Sequence, residues 1–262
     1  MHGLKSHDGS KVIDWGKTSD DYSVFRPGPP PSFYAKLAAL GVGLEGQSIL
    51  DLGTGTGVLA RQFAQQQSEV CGIDKSAEQI ATATQLAQQG NLSAKFSVHS
   101  AENLPWSDAR FDVATANQCW LYFDKEKVIP ELKRVLKPDG LLMVSHFSWL
   151  PRLDEIARRS EELVLKFNPE WSAADWPGVI PPFPKWAESV CNLRAMFYYD
   201  EPISFTRETW RGRIRACRGI GATLTAEEVA QFDVAHDKHL RQIASDRFTV
   251  LHRIDAHLYE FK

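Results

Sequence analysis

Gly53, Gly55 and Gly57 stand at alternate positions immediately after the apolar run Ser48-Ile49-Leu50-Asp51-Leu52, and a helical pattern follows them. Buried strand, glycine loop and helix in that order tie the segment to an α/β sheet. Three missing Cβ atoms let the backbone turn sharply and let a ligand approach it. Open α/β sheets bind ligands at the carboxyl ends of their strands, near the topological switch point. Dinucleotide loops read GxGxxG and set a pyrophosphate on the helix N-terminus. This loop reads GxGxG instead, with Asp51 two residues ahead of it. The next apolar run ends Gly72-Ile73-Asp74, and an acid at that point can accept hydrogen bonds from both hydroxyls of a ribose. Together the loop and the acid are predicted to hold an adenosine-bearing cofactor. By themselves they leave S-adenosylmethionine and NAD both open. Each also has a plainer reading: a tight strand–helix turn for the glycines, a helix-capping or solvated acid for Asp74.

Short apolar runs recur at Ile49–Leu52, Val70–Ile73, Phe96–Val98, Phe111–Ala114 and Leu141–Val144, with helical patterns between them at about 56–67, 76–89 and 125–136. The second helix opens on a capping box, Ser76 and Gln79, and stops at Gly90. Such alternation requires crossover connections and predicts a mostly parallel sheet. Upstream, residues 1–31 read as an arm ending in the rigid run Pro27–Pro31, followed by a helix capped by Ser32 and stopped by Gly41. After Phe147 the rhythm changes. A helix is predicted at about 152–166, then a Trp- and Pro-rich stretch from Asn168 to Pro184 and strand-forming residues at Arg194–Tyr199. Two more helices are expected at about 206–218 and 225–244, the latter with a capping box of Thr225 and Glu228. Arg247–Phe261 reads as one long strand or a bulged pair.

Composition removes several classes of function. With 43% hydrophobic and 24% charged residues among 262, the chain is globular. No apolar run approaches the ~18–20 residues of a membrane span, and polar Met1–Asp21 lacks a secretory core, so a cytoplasmic protein is expected. Cys71, Cys119, Cys191 and Cys217 lie far apart with no CxxC pair and read as reduced packing residues, so neither a disulfide framework nor a metal site is expected. A net charge of −3 weighs against a nucleic-acid partner.

Ile49–Gly57 resembles the glycine signature of class I S-adenosylmethionine-dependent methyltransferases, and further matches follow in order. Val70–Asp74 looks like the family's second-strand acid, and Ser100-Ala101-Glu102-Asn103-Leu104-Pro105 like its Asp-Ala-Glu-x-Leu-Pro segment beside the adenine. Phe111-Asp112 opens the fourth strand, and Leu136-Lys137-Pro138-Asp139-Gly140 is similar to the turn before the fifth. Tyr22 with Arg26-Pro27-Gly28 resembles the arm of the trans-aconitate and quinone-pathway type. The resemblance covers about residues 22–148. It implies a Rossmann-like, mostly parallel seven-stranded sheet with helices on both faces, an antiparallel final strand and a helical lid inserted after strand 5. It also implies S-adenosylmethionine as cofactor and S-adenosylhomocysteine as product. Carried over residue by residue, Gly53, Thr54, Gly55 and Gly57 would line the methionine part, with Asp51 beneath it. Asp74 would hold the ribose and Lys75 border the adenine, with Ser100, Ala101 and Glu102 at the base edge. Asn117 or Gln118 would close the methionine side, and Tyr22 and Arg26 would fold over the cofactor. Two departures stand out. Ser100 replaces the family's aspartate, and Leu121 occupies the position of a histidine that related enzymes carry in Gln-x-x-His-Trp.

A sulfonium methyl group is already activated, so the cofactor brings the difficult chemistry and the protein places the acceptor. A base is needed only where the acceptor must lose a proton. Candidates are His146 after the fifth strand and Tyr122 after the fourth, against plainer roles as a hydrogen-bonded histidine and a packing tyrosine. Trp120, Trp149 and Trp210 could wall an aromatic acceptor or simply fill a core. Arg207, Arg211, Arg215 and Arg218 form one helical stripe, suited to an anionic acceptor, RNA or a solvated face. The expected organisation is an arm and first helix (1–45), a cofactor-binding core (46–148), a substrate lid (149–245) and a closing strand (246–262). The expected partner is a small-molecule methyl acceptor, with the chain a monomer or homodimer. Competing readings are a non-catalytic cofactor-binding module and an RNA or protein methyltransferase. The second is weakened because Asn117-Gln118-Cys119-Trp120 stands where base-methylating enzymes carry an Asn-Pro-Pro-Tyr-like tetrapeptide.

Overall fold

Five apolar segments between residues 48 and 149 become adjacent parallel strands. The computed structural model describes residues 7–18, 21, 24–25 and 27–262, and the chain divides into two compact units. One comprises Gly28–Phe147, Ile180–Tyr198 and Ile254–Lys262. The strands are β3 (Ser48–Leu52), β4 (Glu69–Asp74), β5 (Ala94–Val98), β6 (Phe111–Asn117), β7 (Leu136–Trp149), β8 (Cys191–Thr206) and β9 (Arg247–Phe261), preceded by the short antiparallel pair β1 (His7–Asp8) and β2 (Lys11–Val12). The seven long strands form a single sheet in the order β5-β4-β3-β6-β7-β9-β8, mostly parallel with antiparallel final strands. The order reverses beside β3, which has β4 on one side and β6 on the other.

Register aligns the strand ends. Asp51 lies beside Gly72 and Thr115, Asp74 beside Val98, and Asn117 beside Ser145. The row just beyond Asp51 therefore carries Asp74, Val98, Asn117 and Ser145 at one edge of the sheet. Ile49, Leu50, Leu52, Val113, Ala114, Leu142 and Met143 are fully or almost fully buried, as expected for strands covered on both faces. Helices Val58–Gln65, Ala77–Gln89 and Lys125–Val135 make the crossovers. Ser76 caps the second by accepting from Gln79 N at 3.2 Å, and Asp124 caps the third by accepting from Glu126 N at 3.3 Å.

The first helix corrects one expectation. It runs Pro31–Ala39 with Pro30 as its cap and no side-chain capping bond, so Ser32 lies inside the first turn. Proline suits that first position because its missing N–H would have had no intrahelical partner. The Lys137–Gly140 stretch also differs, belonging to the start of β7, where a Cβ on Gly140 would lie 2.9 Å from Lys137 O.

The other unit comprises Met1–Pro27, Ser148–Val179 and Tyr199–Arg253. Its helices are Glu155–Phe167, Arg207–Arg215 and Ala226–Ile243. The last carries the expected capping box of Thr225 and Glu228; the middle one has a box of Thr206 and Thr209. That middle helix ends at Arg215, so Arg218 lies in the following turns and not on the helix. Its core gathers Trp149, Val164, Trp171, Phe205, Trp210, Ile214, Phe232 and Val250. Among the described residues no helix is long and apolar enough to cross a membrane.

Candidate functional site

The loop after β3 climbs through three left-handed glycines, with φ of +57° at Gly53, +56° at Gly55 and +75° at Gly57. Side chains other than glycine rarely adopt this conformation. Packing adds a second requirement. A Cβ on Gly53 would lie 2.9 Å from Cys119 Cβ, and one on Gly57 would lie 2.8 Å from Phe96 Cζ. At these two positions the room left by the missing Cβ is filled by protein side chains, so what the loop exposes toward a ligand is its backbone.

Asp51 sits beneath the loop, 2% exposed. Its carboxylate accepts from Thr54 Oγ1 at 2.6 Å and Thr115 Oγ1 at 2.7 Å. Burial raises its pKa to about 6 against the opposing pull of those two hydroxyls, and the nearby charge of Asp74 adds to the rise. Burial likewise pushes the Cys119 thiol well up, with Asp51 and then Asp74 contributing. Asp51 has no salt-bridge partner among the described residues. The floor of the site is therefore electronegative at neutral pH, which suits a cationic ligand.

Asp74, at the tip of β4, accepts from Gly55 N at 3.0 Å on Oδ2 and from Ser76 N at 3.0 Å on Oδ1. Burial raises its pKa, and the backbone donors oppose the rise. An ionised carboxylate offers about four acceptor sites, so with the backbone N–H groups of Ser76, Gly55 and Lys75 directed at it this side chain is fixed to the loop and keeps acceptor capacity for a ligand hydroxyl. Lys75 pairs with Glu102 at 3.1 Å. Glu102 also bonds the Ser100 hydroxyl and accepts from Asp124 N at 3.1 Å. Burial alone would raise the Glu102 pKa, but these donors bring it down to about 2. Glu102 thus ties the loop after β5 to the start of helix Lys125–Val135, while Ala101 is buried beside it.

Asn117 Oδ1 accepts from Ser145 Oγ at 3.1 Å, and Gln118, left-handed at φ +64°, bonds Phe147 O through its side chain. A non-glycine residue held in that conformation at a strand end is a mark of functional sites. Tyr122 closes the short turn Trp120–Tyr122, its N–H donating to Cys119 O at 2.9 Å. Trp120 is 4% exposed and packs against Trp186, with ring centroids 4.8 Å apart. His146 Nδ1 lies 3.2 Å from Asp255 Oδ2 on β9. Tyr22 and Arg26 lie outside the described residues.

The structure thus brings Asp51, Gly53, Thr54, Gly55, Gly57, Asp74, Lys75, Ser100, Ala101, Glu102, Asn117 and Gln118 to one edge of the sheet. Three other expected residues lie in the second unit. Trp149 donates to Glu161 Oε1 at 2.6 Å and Trp210 to Ser160 Oγ at 2.9 Å, both indoles buried. Arg211 is committed to Asp233 and, at 2.9 Å, to Asp237. The rest of the arginine stripe is paired as well: Arg207 with Asp246, Arg215 with Asp21 and Asp233, Arg218 with Asp8. Sequence reasoning missed Asp255 and His257. Their signal was the i, i+2 spacing that puts both on one face of the closing strand. Among the described residues no group of His, Cys, Asp or Glu side chains is arranged to hold a metal.

The family model of the methyltransferase domain matches residues 44–188, more than half the chain. The chain belongs to the class I methyltransferase family. It is similar to the uncharacterized methyltransferase YcgJ of Bacillus subtilis, at 35% identity over 44% of this chain and 47% of that protein. It is also similar to the ubiquinone biosynthesis O-methyltransferase of Alkalilimnicola ehrlichii, at 31% identity over 59% of this chain and 64% of that protein. Its match therefore spans about half to two thirds of these relatives' lengths. Among solved structures, YjhP of E. coli shares the fold, with a TM-score of 0.57 at 20% identity, covering 94% of this chain and 99% of that one. The residues of this methyltransferase at the sheet edge fit S-adenosylmethionine: a clamped acid with spare acceptors, exposed loop backbone and an electronegative floor.

Proposed function

We propose that this chain transfers the methyl group of S-adenosylmethionine to a small-molecule acceptor. The observation that carries the reading is Asp74, fixed by Gly55 N and Ser76 N with acceptors to spare, beside a left-handed glycine loop. When bound, the cofactor supplies a methyl group on a positively charged sulfur. Asp74 grips the ribose, the Gly53–Gly57 backbone borders the methionine part, and Ala101 and Glu102 meet the base edge through backbone groups. Asp51 holds the loop in shape through Thr54 and contributes negative charge below it. We read His146 and Tyr122 as the groups that receive a proton from the acceptor and Trp120 as a wall beside it, whereas Trp149 and Trp210 serve the core of their own unit and Arg211 its ion pairs. The relative named for O-methylation in ubiquinone biosynthesis supports a hydroxyl-bearing acceptor. A nucleic-acid acceptor is disfavoured by the arginine stripe, whose charges are matched by aspartates.

The test is incubation with methyl-labelled cofactor and a metabolite extract. Transfer of label to a small molecule is expected. Retention of all label on the cofactor, with binding intact, would instead make the chain a binding module.

A further inference from the structure

β9, beyond the residues 44–188 matched by the family model, carries a polar array. Asp255 is fully buried, and its Oδ2 lies 3.2 Å from His146 Nδ1 and 3.6 Å from His257 Nδ1. Its Oδ1 has no hydrogen-bond partner among the described residues. His257 Nε2 lies 3.0 Å from Pro181 O, and its ring stacks on Tyr259 at 5.8 Å. A carbonyl oxygen only accepts, so that contact puts a proton on His257 Nε2. Burial by itself would raise the pKa of Asp255, but hydrogen bonds from His146 and His257, and their charge whenever they are protonated, outweigh it and hold the carboxyl below its ordinary value. A buried carboxylate with so few donors makes a strong demand on each of them. His146 meets it through Nδ1, and its side chain remains 35% exposed. His146 follows Ser145, the β7 residue in register with Asn117, so its backbone lies at the same edge of the sheet as the cofactor-side residues. Ser145 binds Asn117, and Phe147 O accepts from Gln118.

We propose that Asp255 is a positioning residue that holds the proton of His146 on Nδ1, so that Nε2 presents its lone pair as the base for a hydroxyl acceptor. The inference rests on the methyltransferase reading and narrows it to transfer onto oxygen. The acceptor O–H bond breaks and its proton passes to His146 Nε2. The oxygen forms the new bond to the methyl carbon as the carbon–sulfur bond breaks, and that electron pair stays on sulfur as a thioether. The resulting imidazolium is stabilised by Asp255 until it loses its proton to solvent. Asp255 touches neither acceptor nor cofactor and acts only through the ring.

The experiment is nitrogen-15 NMR of the histidine-labelled protein, with His146 assigned by the signal lost in His146→Gln. In the native protein near pH 8, where a histidine is ordinarily neutral, Nδ1 should carry the proton and Nε2 should not. Asp255→Asn should move the proton to Nε2, the outcome expected when an amide replaces the orienting carboxylate. It should also lower label transfer by roughly 10²-fold or more, within the range for losing a general base, while S-adenosylhomocysteine affinity stays within about twofold. A native His146 protonated on Nε2 overturns the proposal, and that reading needs no variant to fold. So does Asp255→Asn with undiminished transfer. Loss of cofactor binding in the native protein would sink the methyltransferase reading instead, leaving the tautomer result to be judged separately.

Discussion

Asp74 accepts from Gly55 N on one oxygen and from Ser76 N on the other, and both donors belong to the turns it organises. Removing the carboxylate frees Gly55 N and, on the proposed reading, removes the ribose grip. Asp74→Ala is expected to weaken S-adenosylhomocysteine binding by about 1–3 kcal/mol, the scale of charge-assisted hydrogen bonds, measurable by calorimetry. Unchanged affinity would show that the acid does not meet the cofactor. Gly53 bears a different load, a φ of +57° with Cys119 packed into the space of its absent Cβ. Gly53→Ala should cost about 1–3 kcal/mol of folding stability from the backbone conformation alone, before the contact with Cys119 is relieved. A urea midpoint equal to that of the parent chain would contradict this. The glycines and Asp74 were legible in the sequence because each answers a local demand of turn geometry or strand-end position. Asp255 was not, because its partner His146 lies 109 positions away in the chain. Only strand pairing brings the two together.

Elements repeat that division. Helix Ala226–Ile243 was readable from its capping box, and the parallel strands from their alternation with helices. Pro30 as a cap and the end of helix Arg207–Arg215 were not, since backbone geometry and not a side chain sets both boundaries. The arginine stripe was visible as a pattern, but the aspartates that neutralise it come from other segments. Two buried histidines give this unit a pH dependence. His236 contacts Ser160 Oγ at 3.1 Å, and His252 stacks on Phe205. Burial lowers both to about 3. Unfolding returns them to about 6.5, so below that pH the unfolded chain binds more protons and stability falls. Stability is full above pH 6.5 and declines as pH drops toward 3. Going from pH 7 to pH 5 should cost about 2 kcal/mol for each histidine. Urea unfolding at the two pH values measures it, and His236→Gln should reduce the dependence. A flat profile would mean that both rings are protonated in the fold.

The whole molecule combines a net charge of −3 with an arginine stripe matched by aspartates. Nucleic-acid binding draws its affinity from phosphate neutralisation, so no shift of a generic RNA is expected in a gel assay at about 0.15 M salt and micromolar protein. A salt-sensitive complex would reopen the RNA reading. The broader claim is that one edge of the sheet, with an acid clamped beside a bare loop backbone, accepts the adenosyl sulfonium cofactor and no dinucleotide. Titration calorimetry with S-adenosylhomocysteine and, separately, with NAD tests it most directly. The account predicts micromolar binding of the first, about −8 kcal/mol, and no heat from the second. Binding of NAD in preference, or of neither, would contradict it.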